Sequence, residues 1–71
     1  MKKISARNAF PGRITEVKLG PISAEVTVNV APGINIVSVI SASSAQSLGL
    51  AIGKPAFAVI KASCVMIGVD H

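Results

Sequence analysis

A chain of 71 residues has room for one hydrophobic core, so the expectation is a single domain over residues 1–71. Its 51% hydrophobic content is mostly Val, Ile and Ala, with 3% aromatic residues and a mean hydropathy of +0.66. That is more apolar surface than one small barrel hides, so further copies of the chain are the expected cover. Seven Lys and Arg against three Asp and Glu leave a net charge of +4, which suits an anionic partner, although the bases are too scattered to form a polybasic tract.

In chain order, Lys2 to Arg7 reads as a short edge strand, closed by Pro11-Gly12. Arg13 to Leu19 is rich in β-branched residues, is expected to be a strand, and ends at the turn signal Gly20-Pro21. The clearest pattern follows. Ile22, Ala24, Val26, Val28 and Val30 alternate with Ser23, Glu25, Thr27 and Asn29, the period of a strand with one buried face. Ala31-Pro32-Gly33 is a turn, because Pro presets φ and Gly accepts positive φ. A partner strand from Ile34 to about Ile40 completes a hairpin. Ser43 to Gly49 has the start, interior and stop of a short helix. After Gly53-Lys54-Pro55, Ala56 to Lys61 and Val65 to Val69 read as the last strands. The fold class expected is all-β: a small OB-like Greek-key β-barrel with one short helix.

The single cysteine, Cys64, rules out an intrachain disulfide and reads as a core or interface filler. A reducing, cytoplasmic location is expected. The longest apolar run, Ala56 to Ile60, is too short to span a membrane, and Ser5, Arg7 and Asn8 interrupt any signal-like stretch after Met1.

Catalysis is not expected. Glu16 and Glu25 lie on apparent solvent faces, and Asp70 and His71 end the chain. One Cys, one His and three acids, widely spaced, do not make a metal site. Anion binding is better served. Ser5-Ala6-Arg7-Asn8, Ser41-Ala42-Ser43-Ser44 and Lys61-Ala62-Ser63 put hydroxyls, cations and backbone donors where a β-core would prefer apolar residues. Each segment also has a plain structural use: Ser41 or Ser43 as a helix cap, Arg7 and Asn8 as solvated surface, Lys61 with its head in water. Chemistry alone leaves both readings open.

The segments Ile4-Ser5-Ala6-Arg7-Asn8, Ala24-Glu25-Val26, Ser47-Leu48-Gly49-Leu50, Gly53-Lys54 and Ala58-Val59-Ile60-Lys61-Ala62-Ser63, with Val65-Met66-Ile67-Gly68-Val69, resemble the molbindins, the Mop-type molybdate-binding domains. The resemblance spans nearly the whole chain. It implies an OB-like barrel that binds molybdate or tungstate in a free-standing storage or homeostasis role. It also implies a homo-oligomer, typically a hexamer built as a trimer of dimers, with anions held between subunits and no protein atom ligating the molybdenum. Carried onto this chain, the main site would use Ser5 and Arg7, then Lys61 with the backbone at Ala62 and Ser63, and Ser41 and Ser44 from another subunit. Pro11 and Pro55 depart from the usual pattern and bear on strand entry.

Two other classes compete. An OB-type nucleic-acid module would need stacking aromatics and a basic groove, yet the chain has two Phe and no Tyr or Trp. A purely structural oligomerisation domain is compatible with the apolar composition.

Overall fold

The computed structural model describes residues 7–70. The described residues form four strands, β1 (Asn8–Leu19), β2 (Ser23–Ala31), β3 (Ile34–Ser41) and β4 (Pro55–Ile60); one helix, α1 (Ala42–Leu48), lies between β3 and β4 in the chain, and a 3-10 turn (Ala62–Cys64) follows β4. The sheet order is β3-β2-β1-β4, and each neighbouring pair is antiparallel. Three strands form a meander, and the fourth returns by a long connection to lie beside the first, which is the Greek key. The sheet curls into an OB-like half-barrel whose edge strands, β3 and β4, are not paired with each other.

The expected hairpin forms. Val26 and Val28 are buried with Ala24, and Pro32-Gly33 turns the chain with Gly33 at φ 74. Ile14, only 1% exposed, joins Val26 and Val28 at the centre of the core, and Val17, Val30, Ile40, Leu50 and Ala56 pack around them. The helix contributes only Ala42 and Ala45 to the buried set. Ser41 caps it, accepting from the Ser44 N–H at 3.1 Å, and Gly49 ends it at φ 64, the left-handed conformation that favours glycine.

β1 is the organising strand, and its two halves serve different partners. Arg13 to Leu19 pairs with Asn29 to Ala24 of β2, whereas Asn8 to Arg13 pairs with Ile60 to Pro55 of β4. A bulge between Ile14 and Glu16 marks the change. There the loop before β4 is pinned by Gly53 N–H to the Ile14 carbonyl at 2.8 Å and Ile14 N–H to the Lys54 carbonyl at 3.0 Å. Asn8–Gly12 and β4 thus form a two-stranded ribbon running off the end of the three-stranded sheet, in a molecule 40 Å long.

Four sequence expectations need correction. Pro11-Gly12 does not separate two strands: β1 continues through both. Pro11 pairs with Phe57 in the ribbon, where β1 has a described neighbour on one side only, so a missing N–H is tolerated. Val65 to Val69 is not a strand; residues 65–70 have no regular structure and are exposed, because they leave the ribbon tip where no described strand can receive them. Cys64 is exposed and fills no core within this chain. Ile22, expected to point inward, lies outside β2 and is 83% exposed; its carbonyl accepts from the Ala42 N–H at 2.8 Å. The expected edge strand at Lys2 to Arg7 falls outside the described residues except for Arg7, which sits in a bend.

Candidate functional site

Antiparallel pairing brings two of the three donor segments to one place. The last rung of the ribbon is Asn8 opposite Ile60, so Arg7 and Lys61 leave the two strands at the same tip. Both are exposed. Lys61 has extended backbone, φ −63 and ψ 132, and starts the turn Ala62–Cys64. That turn is closed by the N–H groups of Cys64, to the Lys61 carbonyl at 2.9 Å, and of Val65, to the Ala62 carbonyl at 3.3 Å. Its own hydrogen bonds therefore do not consume the N–H groups of Ala62 and Ser63, as at the start of any helical turn. Asn8 closes the rung from the side, its Nδ2 donating to the Ile60 carbonyl at 3.4 Å. Ser5 lies outside the described residues.

The third segment is elsewhere. Ser41 pairs with Ser23 at the end of the sheet where Leu19 pairs with Ala24. There Ser41 Oγ donates to Ser44 Oγ at 2.8 Å, lies 3.3 Å from Ser43 Oγ and accepts the Ser44 N–H. The cap therefore uses Ser41 rather than Ser43. This hydroxyl cluster and the Arg7–Lys61 tip lie at opposite ends of β1, whose contour length is roughly 36 Å at about 3.3 Å per residue. Within one chain the two sets cannot touch the same small anion.

The remaining described cations have other work. Lys18 lies 3.7 Å from Glu16 and 4.0 Å from Glu25, Arg13 donates to the Gly53 carbonyl at 3.0 Å, and Lys54 donates to the Gly49 carbonyl at the end of α1 at 3.0 Å. Among the described residues, no three of His, Cys, Asp and Glu are grouped to hold a metal ion, and no helix is long and apolar enough to cross a membrane. A cavity of about 390 Å³ opens between the barrel edges, walled by Ile14, Val28, Ile40, Leu50 and Phe57, with Ser38 the one hydroxyl among its lining residues. It offers almost nothing to an anion. Sequence reasoning placed Asn8 in the Ser5–Asn8 donor segment, with solvated surface as the plain alternative, and missed that it ties the two cationic segments together. Its place between Arg7 and the ribbon was the available signal, but the pairing with Ile60 lies 52 positions away.

A Greek-key half-barrel with cations at one tip and serine hydroxyls at the other is a small OB-like module. More narrowly, the chain belongs to the TOBE domain family, whose model matches residues 4–67. It is 38% identical over 68 residues to a probable molybdenum-pterin-binding protein of Haemophilus influenzae, covering 96% of this chain and 99% of that one. Among solved structures it resembles MopII from Clostridium pasteurianum, with a TM-score of 0.88, 40% identity and coverage of 94% of this chain and 100% of that chain. A molybdate-binding protein from Sporomusa ovata also has a TM-score of 0.88, at 27% identity, covering 94% of this chain and 98% of that chain.

Proposed function

We propose that this chain binds molybdate or tungstate as the intact oxyanion, at sites shared between subunits of a homo-oligomer. The observation that carries the reading is the split donor set: Arg7 and Lys61 at one end of β1, Ser41 and Ser44 at the other. Two copies can bring opposite ends together, giving a tetrahedral dianion two cations, hydroxyls and the N–H groups of Ala62 and Ser63. Ser5 joins Arg7 in this reading, and no protein atom ligates the molybdenum. The names and structures of the relatives support the same ligand. The assembly is a hexamer, a trimer of dimers. The role is binding for storage or homeostasis rather than catalysis, in the reducing cytoplasm, where the exposed thiol of Cys64 stays reduced.

Calorimetric titration with molybdate, beside the same titration with a short oligonucleotide, tests this directly. Molybdate should bind saturably and the oligonucleotide should not; the reverse overturns the proposal. Phosphate serves as a third arm. At neutral pH it often retains a proton, which would face donors only, leaving a buried group unpaired at roughly 1–3 kcal/mol. Phosphate should therefore compete far less well than sulfate, which has no proton, and both less well than tungstate.

A further inference from the structure

We infer that Asn8 is a positioning residue for the oxyanion, acting through Lys61; the inference rests on the site proposed above. Asn8 is half-buried at the last rung of the ribbon, between the strand ends that carry the two cations. Its Nδ2 donates to the Ile60 carbonyl at 3.4 Å. That carbonyl and the Lys61 N–H belong to one planar peptide, so the bond restrains the plane from which Lys61 departs. The next peptide is held too, because the Lys61 carbonyl accepts from the Cys64 N–H at 2.9 Å. Lys61 is thus tethered on both sides, to β1 through Asn8 and to the 3-10 turn through Cys64, while its side chain stays exposed. A small rotation of either peptide would be amplified along the four-carbon stem and would redirect the Ala62 and Ser63 N–H groups. At 3.4 Å the Asn8 bond is long and contributes little to stability. Its consequence is orientation.

The test uses the intact assembled protein. Asn8→Leu keeps the side-chain size and removes the donor, whereas Asn8→Gln keeps an amide that reaches the same carbonyl. Calorimetry with sodium molybdate should show Asn8→Leu weakened about two- to threefold, the low end for one lost hydrogen bond, as its length implies. Its unfolding midpoint and assembled mass should match the parent, and the Lys61 amide resonance should shift. Asn8→Gln should recover most of the affinity, which a general packing role would not allow. Asn8→Leu binding as tightly as the parent, while Lys61→Ala does not, would remove Asn8 from the site and leave the site standing. Lys61→Ala binding like the parent would overturn the site itself. A lower assembled mass for Asn8→Leu would overturn positioning in favour of assembly.

Discussion

Ser41 has two uses that substitution can separate. Its hydroxyl caps α1 by accepting the Ser44 N–H, and the same hydroxyl belongs to the proposed anion site. Ser41→Ala loses both, with a cap cost of about 1 kcal/mol. Aspartate caps a helix about as well as serine, yet its carboxylate repels a dianion. Ser41→Asp should therefore unfold at the parent's urea midpoint and lose molybdate binding; normal binding in that variant would reduce Ser41 to a cap. The cations separate in the same way. Arg7 and Lys61 have no carboxylate within ion-pair distance among the described residues, whereas Lys18 lies beside Glu16 and Glu25, and Lys54 holds the Gly49 carbonyl. Removing a cation from a desolvated charge-assisted contact costs about 2–5 kcal/mol. Arg7→Ala and Lys61→Ala should each weaken molybdate at least tenfold by that reasoning, with Lys18→Ala and Lys54→Ala near the parent. Equal losses in all four would mean that attraction is only diffuse.

At the scale of the elements, the ribbon's direction is set where β1 crosses β2. A Cβ on Gly12 would lie 2.3 Å from the Asn29 carbonyl oxygen and 2.9 Å from Val28 Cγ1. Backbone cannot give way as a flexible side chain does, so Gly12→Ala should cost roughly 1–3 kcal/mol, read from urea unfolding. Gly33→Ala is the comparison. Nothing lies near its Cβ, and only the positive φ of 74 opposes the change. A Gly12→Ala protein as stable as the parent would show that β1 is free to slide. The same strand shows what the sequence could and could not disclose. Alternation from Ala24 to Val30, the Pro32-Gly33 turn and the Ser41 and Gly49 caps are local signals, and the structure contains each of them. Pro11-Gly12 read as a break because Pro usually ends a strand; it continues one here because that stretch has a ladder on one side. The tail from Val65 to Val69 carries a strand's composition without a strand's partner among the described residues. Pairing is a property of neighbours, and composition does not name them. The donor segments were visible one by one, but their distribution between the two ends of β1 depends on strand register.

At the scale of the whole molecule, too little is covered for a lone chain. Among the described residues the buried hydrophobic set is Ile14, Ala24, Val26, Val28, Ala42 and Ala45, while Val37, Val39, Phe57, Met66 and Ile67 are exposed, the last two at 91% and 87%. A two-stranded ribbon is marginal by itself in water, and this one has an apolar tail at its tip. Both features fit the proposed assembly of several copies, as does the proposed division of the anion site between opposite ends of β1. Light scattering at low micromolar concentration should give a mass several times 7.2 kDa. Dilution should lower the unfolding midpoint, because association stabilises only the folded state. Molybdate should raise that midpoint and oppose dissociation, since an anion bridging two subunits binds neither half as well alone. Ile67→Lys, which charges the tail without touching the half-barrel core or the proposed donors, should reduce the assembled mass and weaken molybdate together. A monomer that still binds molybdate with the parent's affinity would show that one chain completes the site, and the division of donors along β1 would then have no role in binding.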